Sequence, residues 1–276
     1  MPRLSLNRYL SVLSIMLFVA TTASTPQAAD RKLVLTGSST VAPLMVEIGK
    51  RFERGNPGVR VDVQSGGSSR GIADTRSGLA DIGMVSRALK PDEQDLKSFT
   101  IALDGITLIV HRDNPVQTLT DPQIVDIYTG KITHWGALGG ADRPITVVNK
   151  AEGRSTLELF LHHFRLKSGD IKAQVVIGEN QQGIKTVAGN ASAIGYVSIG
   201  TAEYEAAQGT PIKLLPIAGI DASVENVRNG RFPLARPLNL VTKMEPEGLA
   251  RQFIDFSRSE SVHDLVQAQY FVPLER

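Results

Sequence analysis

The alternation of short apolar runs with amphipathic segments predicts an α/β fold with largely parallel sheets. Three observations carry the prediction. Stretches such as "GITLIVH" are short and uninterruptedly apolar, the mark of strands buried on both faces. The segments between such runs space their apolar residues as helices packed on a sheet do. The chain has 276 residues, 42% of them hydrophobic, enough for one substantial globular unit or two lobes.

The elements follow in order. Residues 1–29 stand apart: Arg3 and Arg8, then "YLSVLSIMLFVA", too short to span a bilayer, then small and polar residues ending "STPQAAD". This is a secretory signal peptide pattern, with cleavage expected after Ala28 or Ala29. The chain has no cysteine, so neither a lipoprotein anchor nor a disulfide is expected, and a soluble periplasmic protein is. Leu33–Thr36 forms a short strand. Pro43 suits the first turn of a helix with apolar residues at Leu44, Val46, Ile48 and Phe52, and "NPG" at Asn56–Gly58 ends it. "VRVDVQ" alternates with period two as a strand does, and "SGGSSRG" turns into a helix through Thr75. The strands "DIGMVS" and "GITLIVH" follow. A capped helix, "TDPQIVDIYTG", carries Thr120 or Asp121 as its cap and closes at Gly130. Then come the strand "PITVVN", the helix "RSTLELFLHHF", the strand "AQVVI", the helix "QGIKTVAG" and the strands "AIGYVSI" and "RPLNLVT". Helices over Glu247–Arg258 and Val262–Gln269 complete the chain.

The formal charge is +2, and the leader accounts for it through Arg3 and Arg8, so the exported chain is formally neutral. A general nucleic-acid binder needs a basic surface, so that class is excluded. No His-Glu-x-x-His occurs, His162 and His163 are adjacent and point to different sides of their helix, and no Walker A or dinucleotide glycine fingerprint is present. Neither a metal nor another cofactor is expected.

Ligands of open α/β sheets sit beyond the carboxyl ends of strands, so the strand-to-helix turns are the candidate sites. Three of them share one chemistry: "TGSST" at Thr36–Thr40, "SGGSSRG" at Ser65–Gly71 and "NKAEGRSTLE" at Asn149–Glu158. Each combines glycine for close backbone approach, hydroxyl donors and a following helix whose dipole favours negative charge. The third adds Lys150 and Arg154. Convergence on a small anion is one reading. Plain turn chemistry is the other: Ser155-x-x-Glu158 has capping-box spacing, Ser68 and Ser69 suit a helix cap, and Lys150 and Arg154 suit solvated charges. A different class is a serine hydrolase, because Gly67–Gly71 matches G-x-S-x-G, with Ser69 as nucleophile and His263 as base.

The segments "LTGSSTVAPLMVEIGKRFE", "SGGSSRGIADTRSGLADIGMVSR", "KAEGRSTLELF", "NASAIGYVSIG" and "RPLNLVTK" resemble, in order and from about Lys32 onward, the periplasmic phosphate-binding components of bacterial phosphate ABC transporters. The resemblance implies a non-catalytic, type II periplasmic binding fold. In it two lobes with mixed, mostly parallel sheets close on the ligand about two hinge crossings. The expected division is residues 30–110 in lobe 1, 111–217 in lobe 2 and 218–276 returning to lobe 1. The expected ligand is inorganic phosphate, with another oxyanion such as sulfate as the alternative. The expected partner is an inner-membrane permease, with a sensor receptor as the alternative, and the protein is expected to be a monomer. Carried over residue by residue, the ligand set is Ser38, Ser39, Thr40, Ser68, Ser86, Lys150, Arg154, Ser155 and Thr156. Lys150 stands where the family usually has arginine, Arg154 replaces a serine and Ser155 aligns with the usual glycine. Ser86 stands where well-studied members have an aspartate that accepts the phosphate proton. Weaker rejection of sulfate is the expected consequence, unless another acceptor takes over.

Overall fold

The computed structural model describes residues 31–274; the signal-peptide reading of residues 1–29 lies outside them. The chain enters on strand β1 (Arg31–Gly37), followed by helix α1 (Ala42–Gly55), β2 (Val59–Ser65), α2 (Ser68–Ser77) and β3 (Ile82–Val85). Parallel pairing of β2 with β1 and of β1 with β3 makes this a doubly crossed unit, with a helix in each connection. Pro43 starts α1 as expected, and Leu44, Met45, Ile48 and Phe52 form its buried face.

Strand β4 (Lys97–His111) is longer than "GITLIVH" predicts, at 15 residues. The additional stretch, Lys97–Asp104, pairs with β9 (Ala235–Thr242) and, at Ala102 and Leu103, with the terminal β10 (Val272–Pro273). From Ile106 onward β4 changes partners, to β7 (Ala193–Ser198) and β8 (Ile212–Leu214). At the changeover stands Gly105, where a Cβ would fall 2.6 Å from Ile199 Cδ1. Glycine leaves room there for the Ile199 side chain to pack directly on the strand.

Between β4 and β7 in the chain lie α3 (Asp121–Tyr128), β5 (Thr146–Lys150), α4 (Ser155–Phe164), β6 (Val175–Ile177) and α5 (Asn180–Ala188). The helices α6 (Ile199–Ala207) and α7 (Val224–Arg228) precede β9, and α8 (Gly248–Ser257) and α9 (His263–Ala268) follow it. The hydrogen-bonded order is β2-β1-β3-β9-β4-β7-β5-β6. The sheet is mixed. Parallel pairs are confined to its flanks, β2-β1-β3 and β7-β5-β6, while the spine β3-β9-β4-β7 is antiparallel throughout. The parallel share is therefore smaller than the strand–helix alternation implies, because β9 returns from a distance of over a hundred residues and alternation says nothing about such a strand's direction.

Each flank has helices on both faces. On the first, Leu33, Leu35, Ile82, Met84, Leu238 and Leu240 pack under α1 and α8, and Ile72 and Val241 lie on the opposite face. On the second, Tyr128, Trp135, Phe160 and Tyr196 fill one face, and Ile109, Val148, Ile184 and Val197 the other. The Phe160 and Tyr196 rings stack at 4.0 Å. This packing fixes the carboxyl ends of β1, β3 and β5, and the helices beginning there, against one another.

Candidate functional site

The three turns singled out in the sequence meet at one place. At the end of β1, Gly37 takes φ +131°, and a Cβ there would lie 2.3 Å from Met84 O, so glycine alone allows β1 and β3 to close together. The chain then bends into α1 with Ser38 Oγ accepting from the backbone N–H groups of Thr40 (3.2 Å) and Val41 (3.4 Å). Having accepted twice, Ser38 donates to Ser86 Oγ at 2.8 Å, just beyond β3. Ser86 Oγ lies 2.6 Å from Ser155 Oγ, at the start of α4. The Ser86 N–H donates to Ser68 Oγ (3.1 Å) at the start of α2. Ser38, Thr40, Ser68, Ser86, Ser155 and Thr156 are each at most 5% exposed. So many hydroxyls removed from water require partners, which the cluster supplies mutually.

At its centre is Arg236, the second residue of β9 and 2% exposed. Its Nε and Nη2 donate to Asp104 Oδ2 at 3.1 and 2.8 Å. Nη2 also donates to Thr40 Oγ1 (3.1 Å), and Nη1 to Thr156 Oγ1 (3.1 Å) and Ser86 Oγ (3.4 Å). Asp104, on β4, is held from its other oxygen by the Gly200 N–H at 3.2 Å. The guanidinium is thus braced from behind by a buried carboxylate and faces hydroxyls from both flanks of the sheet.

A second cation, Lys150, ends β5 and is 2% exposed. Its Nζ donates to Asn180 Oδ1 at 2.9 Å, and Asn180 Nδ2 donates to Thr40 Oγ1 at 3.1 Å. Burial pushes the Lys150 ammonium down to about 7, with the Arg236 charge adding to the effect and Glu179 opposing it. The helices α1, α2, α4 and α5 all begin at this cluster. Helix dipoles, buried hydroxyls and two buried basic side chains together make a centre that suits an anion.

Of the carried-over residues, the structure brings together Ser38, Thr40, Ser68, Ser86, Lys150, Ser155 and Thr156. Ser39 is half-buried and lines an adjoining cavity of about 370 Å³ with Ala42, Pro43, Asn180 and Thr201. Arg154 is the N-cap residue of α4 and pairs with Glu179 at 2.8 Å, its stem packed on Gly67. The capping-box reading of Ser155 is corrected. The N-cap position belongs to Arg154, and Ser155 lies one residue inside the helix with its hydroxyl on Ser86. Glu158, freed from capping, reaches across to Ser69 Oγ (3.2 Å), Arg87 Nε (2.7 Å) and Lys90 Nζ (3.0 Å). Ser69 therefore donates to a carboxylate, and no histidine contacts it among the described residues.

Sequence reasoning missed Arg236, Asn180 and Asp104. Arg236 opens "RPLNLVT", which was legible as a strand, and an arginine at a strand's start reads as an exposed end. Asn180 opens a helix like any capping residue, and Asp104 lies in the half of β4 that the apolar pattern leaves out.

The sequence profile of the PBP superfamily domain matches residues 21–261. The phosphate-binding protein PstS of Bacillus subtilis is 28% identical over 254 residues, covering 90% of this chain and 82% of that protein. A structure from Clostridium perfringens, described as a phosphate ABC transporter substrate-binding protein with bound phosphate, superposes with a TM-score of 0.82 and 35% identity, covering 89% of this chain and all of that one. An ABC-type phosphate transport receptor from Vibrio cholerae superposes with a TM-score of 0.72 and 29% identity, covering 88% of this chain.

Proposed function

The chain belongs to the PBP superfamily, and on that premise we propose that it is a non-catalytic, periplasmic solute-binding protein that captures inorganic phosphate and delivers it to the permease of an ABC transporter. One observation carries the reading: Arg236 and Lys150, two buried cations, converge with six buried hydroxyls at the starts of α1, α2 and α4 and the end of β3. An oxyanion taken from water needs its charge offset and its oxygens filled with hydrogen bonds, and this cluster offers both. Hydrogen bonds to a charged group contribute about 1.5–3 kcal/mol each. A handful of them, less the cost of desolvation and closure, suffices for micromolar binding at about −8 kcal/mol.

In this reading the ligand set is Thr40, Ser68, Lys150, Ser155, Thr156 and Arg236, with Ser38 holding Ser86 from behind. Ser86 relays between Ser38 and Ser155, while Ser39 and Arg154 sit at the rim. The anion enters a cleft between two lobes that close over it. Lobe 1 comprises residues 31–105 and 235–274, and lobe 2 residues 106–234. The crossings fall where β4 changes partners and where β9 takes up its pairing with β4. No covalent bond changes, so neither a nucleophile nor a general base is required. A cleaved signal peptide over residues 1–29 provides export, and the protein works as a monomer free in the periplasm.

Titration calorimetry with inorganic phosphate, on protein stripped of anion by unfolding and refolding, tests this. Saturable one-to-one binding at micromolar concentrations is expected. A folded protein that gives no heat with millimolar phosphate overturns it.

A further inference from the structure

The cluster has an excess of donors, and its hydrogen-bond directions show where. Ser38 Oγ accepts from two backbone N–H groups and spends its own proton on Ser86. Ser86 Oγ, accepting from Ser38 and Arg236, donates onward to Ser155, whose proton is left to point at a ligand. Thr40 Oγ1 accepts from both Arg236 and Asn180, and Thr156 Oγ1 accepts from Arg236. Ser68 Oγ accepts from the Ser86 N–H. Ser38 and Ser86 thus spend their protons inside the cluster, while Thr40, Ser68, Ser155 and Thr156 each accept from a neighbour and keep a proton to offer. The Asp104 carboxylate is turned away, one oxygen on Arg236 and the other on the Gly200 N–H.

One acceptor of a different kind remains. Asn180 is 4% exposed and its amide orientation is set by the Lys150 ammonium. Nδ2 donates to Thr40 Oγ1, and Oδ1 accepts from Lys150 Nζ. The flipped amide would set its NH₂ against an ammonium. A carbonyl oxygen has two lone pairs, and Lys150 occupies one. Resting on the phosphate reading above, we propose that Asn180 Oδ1 accepts the proton of bound hydrogen phosphate and is the specificity-determining group that separates phosphate from sulfate in this chain. Hydrogen phosphate presents three acceptor oxygens to the donors and its P–OH to Asn180. Sulfate has the same shape and charge but no proton, so its fourth oxygen faces Oδ1 with two acceptors opposed. A neutral amide repels that oxygen less than a carboxylate would, so sulfate is disfavoured without being shut out. The role that Ser86 leaves open is thereby filled from the other flank of the sheet.

Competition calorimetry at neutral pH with inorganic phosphate and sulfate tests this on the wild type, Asn180→Ala and Asn180→Asp, with thermal unfolding to establish that each variant is folded. The wild type is expected to prefer phosphate. Asn180→Ala is expected to lower the phosphate-to-sulfate affinity ratio at least tenfold, with phosphate weakened more than sulfate. Asn180→Asp, which keeps an acceptor, is expected to retain or raise the ratio. Equal loss of both anions in Asn180→Ala, with the ratio unchanged, would mean that Asn180 only positions Lys150 and Thr40, and overturns the proposal. A wild type that binds sulfate but not phosphate overturns the phosphate reading itself, whatever the variants do.

Discussion

On the two-lobe reading proposed above, Glu158 offers a measure of how much closure contributes to affinity without any contact to the anion. It stands on α4, whose neighbours Leu157 and Phe160 belong to the second flank's core, yet its carboxylate is held by Ser69, Arg87 and Lys90 from the first flank. The perturbation is Glu158→Gln, which keeps size and one acceptor and removes the charge. Charge-assisted bonds of this kind contribute about 1.5–3 kcal/mol each. Two features reduce the sum. Lys90 is 44% exposed, so its pairing counts for little. Arg87, at 4% exposure, keeps a bidentate pairing with Glu93 at 2.6 and 2.8 Å and is not left as an unpaired buried charge. A net loss of about 1–2 kcal/mol remains, which corresponds to about 5- to 30-fold weaker phosphate binding. Calorimetry gives the affinity, and stopped-flow release into a phosphate trap gives the rates. With lobes that close as proposed, the contact forms after the anion is bound, and the loss is expected in a faster off-rate. Because the buried Arg87 carries most of the effect, raising the salt concentration should change the difference between wild type and variant little. A variant that binds within twofold of wild type would refute the reasoning and make these contacts a consequence of closure rather than a contributor to it.

Arg236→Met is expected to abolish binding and to destabilise the fold by about 3–5 kcal/mol, because Asp104 is left buried without its partner. Adding Asp104→Asn should restore much of the thermal stability but none of the binding, and recovery of binding would show that Arg236 is structural only. Thr156→Ala should weaken phosphate by about ten- to a hundredfold, since a neutral hydroxyl's bond to an anion contributes about 1.5–3 kcal/mol; an unchanged isotherm would remove Thr156 from the ligand set. Lys150 titrates near 7 in the folded protein against an ordinary 10.5, so between these values the unfolded chain holds the extra proton, and this group's contribution to stability rises with pH across that window. In anion-free buffer the stability of wild type relative to Lys150→Met should therefore climb from about pH 7 to pH 10 by a few kcal/mol at most, read from thermal or urea unfolding; a difference that stays flat or falls contradicts the assignment.

What the sequence determined by itself is what neighbouring residues determine together. The amphipathic period of α1, the breaks at Asn56–Gly58 and Gly130, and the apolar runs of β3, β5 and β7 are local patterns, and each element formed where its pattern lay. The glycine- and serine-rich turns were also legible as strand-to-helix turns, because Gly37 and Gly67, both at positive φ, and the hydroxyls beside them are placed by a few consecutive dihedrals. The tertiary structure alone decided which distant groups those turns would meet. Lys97–Asp104 carries a strand's alternation at Phe99, Ile101 and Leu103, overshadowed by the continuous apolar run after it, and the tertiary structure decided that β9 and β10 would be its partners. Arg236 lies 132 residues from Asp104 and 196 from Thr40, and Asn180 lies 140 from Thr40. Ser155-x-x-Glu158 has the spacing of a cap, yet Glu158 was drawn off by Arg87, 71 residues away, because a buried guanidinium binds a carboxylate more strongly than one backbone N–H does. A cap is decided within one helical turn. An ion pair or a shared lone pair is decided by whichever partner the fold delivers, and that partner's identity is not written beside it in the chain.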